Sequence, residues 1–518
     1  MAVVEKAKFI KNAAILTVTS LALRTVGMVF RIYLSNKIGA EGMGLYQLIF
    51  SVYMLVATFA TSGICTAVTR MVADQLQCGT ARSLKRTMRL ALLGVTTVSA
   101  ATVVLLLAFA DTISLWWIGD IRAAASVRIL SFSLPFMGIS SCARGYYIAC
   151  RNVTVPSAAQ FTEQIVRIVV IMALIGCSAG RGLEYSCAAV LIGDTVAEAA
   201  GCMLVYIGYR RDRKHRLAAM PDGAAAPALG RTMLSIAVPI TAGKYLSSLL
   251  RTFENLFVPD RLCRYGMARS DAVSCFGMLK GMALPILFFP ASFLTALSTL
   301  LVPEVSSAAA SGNKAAIRSS VKRSVEITLS TAAVIGGIFW VCSQQLGRVL
   351  YGSEEVGRYI RVLAPLTPLM YLESVVDGIL KGLGQQNHSL GYNVVDSLVR
   401  ITLITVIVPR FGMDGFLAVM VVSNLLTPLL CLYRLLKVSE VRLAVSDWLI
   451  RPTVCVALSA LLAQYLAVVI VPDIVCICAV AVTVLGMYAA LMWISGGLDA
   501  FRFGQPRPVT NKTVSDAE

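Results

Sequence analysis

RGYYIACRNVTVPSAAQFTEQIVRI, residues 144–168, returns without a gap as DGILKGLGQQNHSLGYNVVDSLVRI at 377–401. Gly145 falls on Gly378, Glu163 on Asp396, and Val166-Arg167-Ile168 on Val399-Arg400-Ile401. A charged pair kept four residues apart, twice, inside apolar sequence marks a duplicated chain. The match extends outward. YQLIFSVYMLVATFATSGICTAVTRMVAD (46–74) lies over FGMLKGMALPILFFPASFLTALSTLLVPE (276–304), with Ser62 on Ser292, Thr69 on Thr299 and Asp74 on Glu304. SLKRTMRLALL (83–93) lies over SVKRSVEITLS (320–330), matching Lys85-Arg86 to Lys322-Arg323. Duplicated apolar halves are a recurrent build of secondary transporters, with the transport site between them.

The chain is 518 residues long, 57% hydrophobic and only 14% charged. A soluble chain carries roughly a quarter charged residues. Here charge is confined to islands between apolar runs long enough to cross about 30 Å of hydrocarbon. The fold class this predicts is an all-α polytopic membrane protein. Spans are expected near 11–34, 43–72, 86–110, 123–149, 156–178 and 184–209, then 231–258, 273–303, 319–345, 357–382, 388–409 and 414–436. A last pair near 450–471 and 473–496 brings the expected total to fourteen. The organisation read from this is a first lobe at 1–209, a cytoplasmic linker at 210–230 and a second lobe at 231–437. Two extra helices follow at 449–496, and then a cytoplasmic tail at 497–518. Six spans per half is an even number, so the halves enter the bilayer the same way round, as parallel repeats.

The net charge of +18 does not point to nucleic acid, because of where it lies. Basic residues concentrate in alternate loops, as at Lys6, Lys8 and Lys11; Arg82, Lys85, Arg86 and Arg89; Arg210, Arg211, Arg213, Lys214 and Arg216; and Lys314, Arg318, Lys322 and Arg323. Arg434, Lys437 and Arg442, then Arg502, Arg507 and Lys512, continue the set. Intervening loops are poorer, as at Lys37, Arg181, Arg410 and Asp473. This alternation predicts both termini in the cytoplasm. One loop dissents: 258–272 carries Arg261, Arg264 and Arg269 on the predicted outside, partly offset by Asp260 and Asp271. The N-terminus reads as an uncleaved first helix, without a small-residue cleavage site. Fourteen scattered cysteines read as small packing residues, and two histidines are too few for a metal centre. No GxxxxGK[ST] phosphate loop and no nucleophile–base constellation occurs, so neither an enzyme nor a cofactor is expected.

Arg24 and Arg31 lie seven residues apart in the first span, so they share one face about 10 Å apart. Lys244 and Arg251 repeat that spacing in the first span of the second half, with Glu254 a turn later and Lys280 early in the next helix. A basic group at membrane depth costs about 2.5–3.5 kcal/mol on insertion scales unless it snorkels, pairs or faces water. These six residues are therefore the expected substrate-binding set: a hydrated basic cavity between the lobes that receives an anionic group. Arginine suits the task because its planar fork binds phosphate bidentately and stays charged. The competing structural reading is local ion pairing, with Arg251–Glu254 the obvious case. Glu163–Arg167 and Asp396–Arg400 read as structural i,i+4 pairs. Asp194, Glu198, Glu373 and Asp377, the last beside Lys381, are candidates for a coupling proton or sodium ion. Prolines at 239, 285, 290, 303, 365 and 368 permit kinks in the second half's spans.

GMVFRIYLSNKIGAEGMGLYQ (27–47), FATSGICTAVTRMVAD (59–74) and RGYYIACRN (144–152) resemble the stage V sporulation protein B family. That family belongs to the multidrug/oligosaccharidyl-lipid/polysaccharide (MOP) exporter superfamily, and the resemblance covers nearly the whole chain. It implies a bacterial cytoplasmic-membrane flippase for lipid-linked saccharides of the undecaprenyl-pyrophosphate type, serving peptidoglycan or, in spore formers, the spore cortex. It also implies a basic central cavity, to which Arg24, Arg31, Arg251 and Lys280 correspond, and a lipid-tail groove formed by the two extra helices. Cys65 and Cys150 depart from the proline and glycine of the family pattern, and Arg24 lacks the nearby arginine–aspartate doublet of lipid II flippases. The expected partners are the lipid-linked saccharide, the bilayer and a coupling ion, for a monomer. The alternatives are a cation-coupled multidrug exporter of the same superfamily, which needs an acidic, aromatic-lined cavity, and a non-transporting scaffold.

Overall fold

Runs of about twenty apolar residues can satisfy their backbone in lipid only as helices, and the described chain is built that way. The computed structural model describes residues 2–178, 182–221, 223, 228–441, 445–469 and 473–495, without side chains for 2–17, 178, 219, 296–304, 466 and 468–469. The tail at 497–518 and the charges at Lys6, Lys8, Lys11, Arg181 and Arg442 fall outside that description.

The first half comprises α1 (Ala2–Cys78), α2 (Ala81–Thr112), α3 (Ala123–Ser131), α4 (Leu134–Ala149), α5 (Thr154–Ser178) and α6 (Leu183–Ala219). The second comprises α7 (Leu229–Tyr265), α8 (Arg269–Phe276), α9 (Leu284–Phe288), α10 (Ala291–Ala310), α11 (Lys314–Val341), α12 (Ser343–Tyr351), α13 (Glu354–Leu363), α14 (Thr367–Gly382) and α15 (Gln386–Ser439). α16 (Arg451–Val469) and α17 (Asp473–Ile494) follow. Twelve of these helical stretches are long and apolar enough to cross a membrane. Two of the twelve break in the middle and cross twice, which gives the fourteen spans expected.

Those two breaks fall where the sequence separates the spans. Within α1 the helix stops at Gly39, between the expected 11–34 and 43–72, with a φ of 74° and a ψ of −179° that no helix contains. α15 likewise turns at Gly412, with φ 59°, where a Cβ would lie 2.8 Å from the Tyr265 ring. The 210–230 linker is also shorter than expected, because α6 stays helical to Ala219 and α7 begins at Leu229. Asp212 anchors that extension: it accepts 2.7 Å from Arg216 Nε one turn on and 2.8 Å from the Tyr146 hydroxyl of α4. The first is a favourable i,i+4 contact along the helix, and the second ties it to α4.

The largest buried cluster joins the halves, with Leu45, Leu48 and Ile49 of α1 packed among Val258, Leu262, Val273 and Phe276. A second gathers around Val68, Leu84, Tyr146 and Tyr209 of the first half and takes in Leu229, Met233 and Ala237 from the start of α7. A third fixes α16 and α17 to the second half, through Val334 and Cys342 against Cys455, Val480 and Val484. Lipid tails give helices little hydrophobic reason to associate, so small residues that permit close approach do that work. A Cβ on Gly44 would lie 2.1 Å from the Val273 carbonyl oxygen, and one on Gly63 would lie 2.1 Å from that of Ala237. These two contacts lie towards opposite ends of the α1–α7/α8 seam.

Candidate functional site

Between those glycine contacts the seam opens. Gln47, Ser51, Thr58, Thr61 and Ser62 of α1 face Lys244, Ser247, Ser248, Arg251, Thr252 and Asn255 of α7 across a chamber of about 500 Å³. Phe50, Met54 and Leu390 complete its wall. Hydroxyls are tolerated in these spans because they bond back to their own helices: Ser51 to the Gln47 carbonyl at 2.7 Å, Thr58 to Met54 at 2.6 Å and Thr61 to Ala57 at 2.7 Å. Two bonds tie the walls together, from Asn255 Nδ2 to Ser51 Oγ at 2.9 Å and from Thr252 Oγ1 to the Ser51 carbonyl at 3.1 Å. Among the described residues no carboxylate lines this chamber. Lys244 and Arg251 are exposed in it and make no ion pair among the described residues.

Arg24 and Arg31 line a second inter-half chamber, of about 400 Å³, closed by Pro285, Phe288, Phe289 and Ser292 of the second half. Arg24 Nη1 points to Thr295 Oγ1 at 3.5 Å. Arg31 is shared with a third chamber of about 310 Å³ inside the first half, lined by Tyr46, Tyr53, Gln164, Arg167, Asp194 and Glu198. Phe50 and Met54 border both this chamber and the Lys244–Arg251 chamber. The basic residues are thus arranged around adjoining chambers, with Arg24 and Arg251 in different ones.

Glu254 and Lys280 stand elsewhere. Glu254 is buried and accepts 3.1 Å from Lys280 Nζ, while Arg400 Nη1 reaches both its oxygens at 3.0 Å. Arg400 also holds Asp396 at 2.5 Å and contacts Ser423, whose hydroxyl donates to Asp396 at 2.7 Å. Two cations and two carboxylates neutralise one another there. This corrects the placement of Glu254 and Lys280 in the cavity lining, and the Arg251–Glu254 pair of the competing structural reading does not form among the described residues. The two side chains diverge: one faces the seam, the other the interior of the second half.

The duplicated pairs do form, Glu163–Arg167 at 2.9 Å and Asp396–Arg400 at 2.5 Å. Each arginine gains a further carboxylate that sequence spacing did not reveal: Asp194 at 2.8 Å from Arg167 and Glu254 from Arg400. Arg144 adds a 3.1 Å contact to Glu163, and the Tyr46 hydroxyl donates to Asp194 at 3.3 Å. Asp377 pairs with Lys381 at 2.5 Å and accepts from the Ser389 hydroxyl. Among the described residues no three His, Cys, Asp or Glu side chains gather as a metal site.

α11, α14 and α16 enclose a further groove of about 350 Å³, walled by Ala333, Gly336, Gly337, Trp340, Pro365, Pro368, Val456, Ala457 and Leu461. It is apolar nearly throughout.

A duplicated bundle of fourteen spans with polar chambers between its halves is the architecture of a membrane transporter, here of the MOP superfamily. The chain belongs to the polysaccharide biosynthesis protein family, whose model matches residues 9–307, and the MatE model matches 266–406. It is 25% identical over 472 residues to stage V sporulation protein B of Bacillus subtilis (strain 168), covering 89% of this chain and 90% of the relative. It is 23% identical over 431 residues to the lipid II flippase MurJ of the same organism, covering 79% of each. Among solved structures, lipid II flippase MurJ in an inward closed conformation superposes with a TM-score of 0.69 at 12% identity, over 94% of this chain and 99% of that one. An inward-facing multidrug resistance MATE transporter gives 0.58 at 13% identity, over 82% and 98%. The two structural matches establish the fold.

Proposed function

We propose that this protein is a flippase that moves a lipid-linked saccharide, of undecaprenyl-pyrophosphate type, across the bacterial cytoplasmic membrane by alternating access. One observation carries the reading. The seam between the halves holds Lys244 and Arg251 among nine hydroxyl and amide side chains of α1 and α7 that include Ser51, Ser248 and Asn255, with no carboxylate in the lining among the described residues. Unpaired cations suit a diphosphate, and the hydroxyls and amides suit a sugar. Arg24 and Arg31 add a second basic wall.

The moving bodies we assign are 1–209 and 231–437, joined through 210–230, with 449–496 attached to the second. The basic loops and both termini face the cytoplasm, so the Gly39 face is external. The apolar groove against α16 suits the polyprenyl chain, leaving the headgroup to the chambers. Peptidoglycan or spore-cortex precursors are the substrates that the flippase and sporulation relatives support. A diphosphate moving outward across a potential negative inside gains about 2.3 kcal/mol per charge per 100 mV, so no nucleotide is required, and a proton or sodium ion completes the coupling.

The first-half chamber favours a second reading. Tyr46, Tyr53, Asp194 and Glu198 give it the acidic and aromatic character of a cation-export site. Arg31 and Arg167 in the same lining count against a cationic cargo. Growth rescue of bacteria depleted of their lipid II flippases tests the choice: rescue supports the flippase, and failure with the protein present in the membrane points to another glycan or to cation export.

A further inference from the structure

The loop that dissents from the charge pattern has a structural explanation for each of its arginines. Arg261 stacks over the Phe257 ring at 5.5 Å, and Arg261 and Arg264 lie 3.6 and 3.5 Å from Asp260. Arg269 makes no ion pair among the described residues. It reaches instead from the start of α8, in the second half, to the first half, where its Nη2 donates to the Ile118 carbonyl.

The seat for that guanidinium is specific. Ile118 ends a short π-helical segment, Ile113–Ile118, whose last carbonyls have no partner further along the helix. Gly119 then turns with φ 72°, and a Cβ there would lie 2.7 Å from Arg269 Nη2. Only glycine allows both the left-handed turn and the passage of the guanidinium. The same π segment sets Trp117 6.2 Å from Phe253 of α7. Beside it a Cβ on Gly277 would lie 2.1 Å from the Ala40 carbonyl oxygen, and Gly44 meets Val273 equally closely. The halves are therefore closed on the Gly39 face by backbone-close apolar packing, a neutral bond from Asn36 Nδ2 to the Leu350 carbonyl at 2.9 Å and one cation–carbonyl bond, that of Arg269. That bond can break without separating an ion pair, and the Arg269 Nε beside it is buried without a partner.

We propose that Arg269 is the latch of the external gate: it joins the two halves through the Ile118 carbonyl and must let go before the inter-half chamber can open outward. The inference rests on the alternating-access reading above. Apolar packing alone would give the gate no directional hold, whereas one charge-assisted bond biases the closed state and is lost as a unit when the halves part.

The test places a cysteine at Ser248, in the chamber wall, and measures its alkylation by a membrane-impermeant thiol reagent applied from the Gly39 face. Reaction is read on the peptide containing position 248, so the native cysteines do not interfere. Arg269→Ala should speed labelling about tenfold, the shift in open fraction expected when one charge-assisted hydrogen bond is lost. Arg269→Lys, which keeps the charge but loses the fork, should fall between the two and serves if the alanine variant does not fold. Arg264→Ala, whose partner is Asp260 on its own helix, should match wild type. Labelling within twofold of wild type in every folded Arg269 variant would overturn the latch. Faster labelling, with the wild-type protein failing to rescue flippase-depleted cells, would leave the latch standing and reject the substrate reading instead.

Discussion

Arg400 grips both oxygens of Glu254 at 3.0 Å across 146 residues of chain, inside the second half. Arg251, three residues before that glutamate on α7, stands free in the inter-half chamber. One helix thus divides its charges between a structural network and a candidate binding wall. The two roles make opposite predictions.

Glu254→Ala should unfold early. Removing it leaves Lys280 and Arg400 buried with only Asp396 to balance them, and breaking a buried pair by deleting one partner costs about 3–5 kcal/mol. Thermal unfolding in detergent should show a clearly lower Tm. Arg251→Ala should leave Tm unchanged, since it breaks no ion pair. Equal effects of the two would mean that the division of labour along α7 is wrong.

Glycine substitutions separate packing from propensity. Gly277→Ala drives a methyl to 2.1 Å from a backbone oxygen, so the halves must move apart and both stability and transport should fall. Gly94→Ala on α2 meets nothing within 4 Å and should be neutral or add up to about 1 kcal/mol through helix propensity. A scan of Tm for the two variants checks the contrast; an unaffected Gly277→Ala protein would remove the close crossing from the account.

Glu440, just past the end of α15, accepts from Lys314 at 2.6 Å and from Arg318, and these two cations hold its carboxyl below its ordinary value of 4.5. A depressed folded-state pKa contributes stability that is fully present above the ordinary value and is lost as pH falls through the depressed one. Wild type should therefore exceed Glu440→Gln in Tm at neutral pH and converge with it in acid. The site is exposed, so the margin should be small and shrink in high salt. A difference that grows in acid would reverse the sign argued here.

The apolar groove predicts sensitivity to chain length. Ala457→Phe, which fills it beside Trp340 and Val456, should slow transport of a long polyprenyl substrate and spare a short-chain analogue with the same headgroup. Equal slowing of both would detach the groove from the lipid tail.

Much of this arrangement was legible before any coordinates. The i,i+4 pairs Glu163–Arg167 and Asp396–Arg400 are local, so spacing alone foretold them. The fourteen spans follow from hydrocarbon thickness, and the duplication from aligned charges. What sequence spacing could not supply was helix rotation. Glu254 and Lys280 share the spacing of the cavity candidates, yet both turn inward, Lys280 to Glu254 and Glu254 on to Arg400, a partner more than a hundred residues away. Arg269 read only as an exception to a charge rule, because its acceptor is a backbone carbonyl on another helix and carries no residue-type signal.

The most direct test of the central claim is growth rescue of lipid II flippase-depleted bacteria by wild type, Arg24→Ala and Arg251→Ala, each verified at normal membrane levels and with unchanged Tm. The account predicts rescue by wild type and loss of rescue in both variants. Rescue by all three would contradict it, because the basic chambers between the halves would then have no part in carrying the substrate.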